Sequence, residues 1–125
     1  MKKVYSKGDI VLVDMGPNTQ NTEKSGIRPC VVISNDIMNE NSMNMVIAPL
    51  TNAEHKKING TDRYYLLPTN VMIERDGINN LDAKSIVQLE DIRSISKKRV
   101  VKYIGRFRNS DLDNLNSKLP KIFFI

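Results

Sequence analysis

Apolar residues along this chain come in short runs separated by turn-forming residues. The runs are Ile10-Val11-Leu12-Val13, Cys30-Val31-Val32-Ile33, Met45-Val46-Ile47-Ala48, Tyr64-Tyr65-Leu66-Leu67, Ser85-Ile86-Val87-Gln88-Leu89 and Val100-Val101-Lys102-Tyr103-Ile104. Each is too short for a helix of usual length, and several are rich in β-branched residues, so each predicts a strand. Gly8-Asp9, Gly16-Pro17-Asn18, Ser34-Asn35-Asp36 and Asp76-Gly77 punctuate the gaps. Many short strands in so small a chain point to a β-barrel or sandwich.

Two segments break the pattern. Near the C-terminus, Leu112, Leu115 and Leu119 recur at helical spacing, with Ser110 as the expected cap, Asp111 and Asp113 near the positive end and Pro120 as the stop. That predicts one short helix packed on the strands. The other segment, Gly16 to Gly26, is mostly polar and longer than a typical hairpin connection, which leaves it either functional or disordered.

The chain has 125 residues, enough for one hydrophobic core and too few for two ordinary domains, and no repeat or linker divides it. A single domain over residues 1–125 is expected. There is no Trp and aromatics are few, so the core must be built from Val, Ile, Leu and Met. The net charge of +5 is unevenly spread: Arg93 to Arg108 holds seven basic residues and no acidic one. Lys97, Lys98, Arg99, Lys102, Arg106 and Arg108 interleave there with Tyr103 and Phe107. Such a run suits a polyanion with stackable bases, and it equally suits a solvated face that keeps the protein in solution. No apolar run is long enough to span a bilayer and the basic N-terminus leads into no signal core, so a cytoplasmic protein is the expectation.

Several chemistries are excluded by composition. Cys30 is the only cysteine and sits within Pro29-Cys30-Val31-Val32-Ile33, which reads as a small buried apolar residue and not as a nucleophile or ligand. His55 is the only histidine, in the polar stretch Asn52-Ala53-Glu54-His55-Lys56-Lys57, and reads as a surface residue and not as a catalyst. A histidine-pair ribonuclease and a serine triad are ruled out. No cluster has metal-ligand spacing and no Gly-rich phosphate loop is present, so any catalysis is expected to need neither metal nor cofactor.

What remains is a pair of strand ends. Pro29 biases Arg28 toward an extended conformation at the entrance of the second strand, and Thr51 ends the run Met45-Val46-Ile47-Ala48-Pro49-Leu50-Thr51. If the two strands are neighbours, an Arg fork and a hydroxyl meet one phosphate. Spacing alone leaves an ordinary surface Arg and Thr as the alternative.

These segments resemble the MazF/PemK family of toxin ribonucleases, or mRNA interferases, the toxic half of type II toxin-antitoxin pairs. The resemblance runs through Lys7 to Asp14, Ser25-Gly26-Ile27-Arg28-Pro29 to Asp36, Val46-Ile47-Ala48-Pro49-Leu50-Thr51, then Ser85 to Ile95 followed by Lys98-Arg99. Each motif is loose, while their order and spacing together are specific. The resemblance implies an SH3-like β-barrel with a short C-terminal helix, assembled as a homodimer whose groove holds single-stranded RNA. It implies metal-independent cleavage in which the ribose 2′-hydroxyl attacks its own phosphodiester, leaving a 2′,3′-cyclic phosphate and a 5′-hydroxyl. The family's catalytic pair falls on Arg28 and Thr51. Its loop hydroxyl, acid and polar residue fall on Thr22, Glu23 and Lys24, with Asn21 where a glycine is usual and the loop a residue longer. Glu90 matches the family's acidic position, and Asp91 stands where a Gln is frequent, either altering which base is read or serving as a solvated acid in a turn. A cognate antitoxin with an acidic tail is the implied protein partner. Two other readings use the same fold: a gyrase-poisoning toxin, against which the missing Trp counts, and a catalytically silent RNA-binding module, which only an activity assay separates.

Overall fold

A computed structural model gives the chain's structure over residues 4–17 and 26–124. Seven strands form an antiparallel sheet: β1 (Asp9–Asp14), β2 (Ile27–Val32), β3 (Asn44–Asn52), β4 (Asn70–Ile73), β5 (Ser85–Gln88), β6 (Arg93–Ser96) and β7 (Val100–Arg106). Their order is β4-β5-β3-β2-β1-β7, with β6 beside β3. The sheet is rolled and barrel-like without being closed. β3 accounts for much of the roll. One edge pairs with β2, while the other pairs with β6 through Asn44–Ile47 and then with β5 through Leu50–Asn52.

The rolled sheet explains why the apolar runs are continuous instead of alternating. Ile10, Val31, Ala48, Leu50, Val87 and Phe107 belong to one buried cluster, whereas their neighbours Val11, Val32, Ile47 and Cys30 belong to a second. Both faces of β1, β2 and β3 are therefore covered, and a strand buried on both faces reads as an unbroken hydrophobic run. Full burial of each such Val or Ile contributes about 1.5–3 kcal/mol.

Three features depart from the sequence reading. Tyr64 to Leu67 forms no strand, only a single bridge between Lys57 and Tyr64. The strand lies further on, at β4, where Val71 and Ile73 turn inward. Asn70 makes the change of direction: its side chain accepts from Leu67 N at 2.9 Å while its own N–H donates to Leu67 O at 2.9 Å. Ser34-Asn35-Asp36 does not merely turn. Asn35 caps a six-residue helix, α1 (Asp36–Asn41), by accepting from Met38 N at 3.0 Å. β6 was also absent from the strand pattern; its four residues bury little besides Ile95.

The C-terminal helix is present as α2 (Asn109–Lys118), with Leu115 buried in the first cluster and Leu112 and Leu119 against it. Its cap position is Arg108 and not Ser110, and no side chain caps it. Pro120 does not end the helical course. It opens one more turn, α3 (Pro120–Phe123), where its missing N–H costs nothing. Among the described residues, no helix is long and apolar enough to cross a membrane.

Candidate active site

One cleft of about 700 Å³ opens where the ends of β2, β3 and β7 meet the loop before β5, and Arg28, Thr51, His55, Asp82, Lys102 and Tyr103 line it. The β2–β3 ladder runs from Val32 opposite Ile47 to Cys30 opposite Pro49, and carried two residues outward it sets Arg28 level with Thr51. Arg28 is held from the other side by its pairing with Val13 of β1. The two residues chosen from strand ends thus line one cavity. Cys30, next along β2, is fully buried, and burial pushes its thiol up to about 12 against the lowering influence of Arg28 and Arg93. It is inert at neutral pH, as expected from its setting.

Thr51 is 9% exposed, and its hydroxyl lies 3.1 Å from Nδ1 of His55. His55 is a surface residue, as its polar stretch implied, with this one added contact. Its ring is exposed, but it belongs to the cleft. The cause is a 3₁₀ turn, Ala53–Lys56, that begins at once after β3. Asn52 caps that turn by accepting from Glu54 N at 2.9 Å, so the chain folds back and returns residue 55 to residue 51. An Asn directly after a strand end, with His four residues from Thr, was the signal that sequence reasoning passed over.

The opposite wall is built on β7. Asp76 organises a turn by accepting from Ile78 N and Asn79 N at 2.8 and 2.7 Å, and Asn80 donates to Ile104 O at 3.0 Å. Gly105 permits the close approach: a Cβ there would lie 2.6 Å from the carbonyl oxygens of Ile78 and Asn79. The base of the long polar loop is also fixed, by Met15 N donating to Gly26 O at 2.8 Å and Gly26 N donating to Gly16 O at 2.9 Å. Both glycines adopt positive φ, which other residues rarely tolerate. Thr22, Glu23 and Lys24 lie outside the described residues.

Glu90 and Asp91 are not brought to this cleft. Ser85 at the start of β5 lines it, whereas Glu90 and Asp91 sit on the 3₁₀ turn after that strand's other end. There Glu90 accepts from Thr69 Oγ1 at 2.9 Å and Asn70 Nδ2 at 3.0 Å. The basic stretch divides as well. Arg108 pairs with Asp76 at 2.8 Å, Arg99 donates to Asp14 O at 3.2 Å and Lys97 donates to Asn39 O, while Lys102 faces the cleft. Phe107, expected to stack on bases, is 1% exposed and belongs to the core. Among the described residues, no three His, Cys, Asp or Glu side chains gather as metal ligands.

A model of PemK-like, MazF-like toxins of type II toxin-antitoxin systems matches residues 6–123. This chain belongs to that family. Over 111 residues it is 32% identical to the endoribonuclease MazF of Staphylococcus epidermidis, spanning 86% of this chain and 84% of the relative. Its fold is similar to MazF (Form-I) from Deinococcus radiodurans, with TM-score 0.71, 20% identity and 97% of each chain covered. It is also similar to a mycobacterial endoribonuclease in complex with its cognate antitoxin, with TM-score 0.69, 20% identity and coverage of 94% of this chain and 92% of that one. This MazF-like chain is thus a rolled antiparallel sheet with a short C-terminal helix, and its cleft lies where the ends of β2, β3 and β7 meet.

Proposed function

We propose that this MazF-like chain is an endoribonuclease that cuts single-stranded mRNA at specific sequences and is the toxin of a toxin-antitoxin pair. The observation that carries the reading is the meeting of Arg28 and Thr51 in one cleft with Lys102 and Tyr103 beside them. Arg28 stays charged at neutral pH, so its part is to stabilise the extra negative charge of a pentacoordinate phosphorus. Thr51 orients the attacking 2′-hydroxyl or a phosphate oxygen. Lys102 adds phosphate neutralisation and Tyr103 a face for a base. The products are a 2′,3′-cyclic phosphate and a 5′-hydroxyl, no metal is required, and DNA is spared for want of the 2′-hydroxyl.

Thr22, Glu23 and Lys24 supply further phosphate contacts, on the strength of the family resemblance. Glu90 and Asp91 act on the RNA only if it extends beyond the cleft. The single unit spanning 1–125 works in the cytoplasm as a homodimer and is silenced by a cognate antitoxin, as the antitoxin complex of the mycobacterial relative suggests. The test is incubation with a long unstructured RNA in excess EDTA, followed by mapping of the new ends. Cuts at a recurring short sequence with 5′-hydroxyl ends are expected, and a 2′-deoxy substitution at the cut site should block them. RNA left intact across diverse sequences would overturn the proposal.

A further inference from the structure

Resting on the reading of the cleft as an RNA-cleaving site, we propose that His55 is the proton acceptor of the cleavage step, reached through the Thr51 hydroxyl. A threonine hydroxyl alone is a poor base, and a guanidinium that stays charged cannot take a proton. The Thr51 Oγ1 to His55 Nδ1 distance of 3.1 Å supplies what that pair lacks. The placement is fixed on both sides of the turn. Ala53 N donates to Lys84 O at 2.9 Å, and Tyr65 N donates to Lys56 O at 2.7 Å, so the residues flanking His55 are tied to separate segments.

With its proton on Nε2, the imidazole accepts from Thr51 through Nδ1 and leaves lone pairs of Thr51 Oγ1 toward the cleft. During attack the 2′-hydroxyl proton passes to Thr51 Oγ1 as the threonine's own proton passes to Nδ1. The 2′-oxygen bonds to phosphorus and the P–O5′ bond breaks, its electron pair leaving on the 5′-oxygen. That oxygen takes a proton from water, and the imidazolium returns its proton to the hydroxide so formed. Arg28 from β2, Lys102 and Tyr103 from β7, and Asp82 from the loop before β5 are the charged and titratable groups that share the cleft with the ring. Glu54 and Lys56 flank the ring on its own turn, with Glu54 paired to Lys57 at 3.9 Å.

The experiment is single-turnover RNA cleavage by the full chain and by His55→Gln between about pH 5 and 8, where imidazole changes charge. Gln restores a hydrogen-bonding group without a group that titrates. The expected result is a wild-type rate that rises with pH, and a variant slower by roughly 10²-fold with that rise flattened and KM little changed. Thermal unfolding run in parallel should be unaltered, His55→Asn serves as a second non-titrating variant, and added imidazole should restore part of the rate of His55→Ala. Wild-type cleavage with an unchanged rate and pH profile in both variants would overturn the role of His55 alone. A wild-type chain that leaves RNA intact would overturn the cleavage reading, and this proposal with it.

Discussion

Tyr103 and Phe107 stand four residues apart in the same basic stretch and look interchangeable in the sequence, yet Tyr103 is 41% exposed at the cleft and Phe107 is 1% exposed in the core. In a regular strand they would share a face. The β1–β7 ladder instead passes from Ile10 opposite Gly105 to Val11 opposite Tyr103, so Ile104 is an extra residue on β7. Such a bulge reverses the faces of everything beyond it. Phe107 is drawn under the sheet, with its N–H donating to Gly8 O at 2.9 Å. The cations are sorted similarly, Arg108 and Arg99 fastening turns while Lys102 faces the cavity. A basic, aromatic run is thus a composition, and register decides which of its members reach the cleft.

The sharpest way to break this contrast is to truncate the two aromatics separately. Phe107→Ala should cost about 3–5 kcal/mol, a large share of the stability of a small domain, as measured by denaturant unfolding. Tyr103→Ala should leave unfolding nearly unchanged and weaken RNA binding or cleavage roughly 10-fold, through loss of a stacking face. The reverse assignment of effects would show that the bulge does not govern their roles.

A smaller effect concerns the turn that carries the cleft wall. Hydrogen bonds from the Asn79 backbone, then from the Ile78 backbone and Arg108, hold the Asp76 carboxyl below the usual carboxylate range, against desolvation that raises it. A group lowered in the folded state stabilises above its unfolded value, about 4, and that contribution is lost as pH falls through the lowered folded value. The melting temperature should therefore drop between pH 4 and lower values, and Asp76→Asn should show less of that drop. Equal acid sensitivity in the two proteins would mean that Asp76 does not fasten the turn.

The double-sided burial of β1, β2 and β3 made those strands legible, because their apolar runs are unbroken. β4 and β6 were not: β6 fully buries only Ile95, and Asn70 redirects the chain into β4 by local hydrogen bonds that no hydrophobic pattern records. In the site, Arg28 and Thr51 were legible as strand ends and through the family's motifs. His55 was not, because its place depends on an Asn-capped turn that brings an exposed residue back over Thr51. Glu90 illustrates the converse: a residue matched by motif whose carboxylate is bonded to Thr69 and Asn70 at the far end of β5.

The most direct test of the cleft as the RNA-cleaving site is the cleavage rate of Arg28→Ala, measured beside its thermal unfolding. Loss of one preorganised charge at the phosphate predicts a fall of roughly 10²–10³-fold or more with the melting temperature nearly unchanged. Cleavage at the wild-type rate by the folded variant would contradict it.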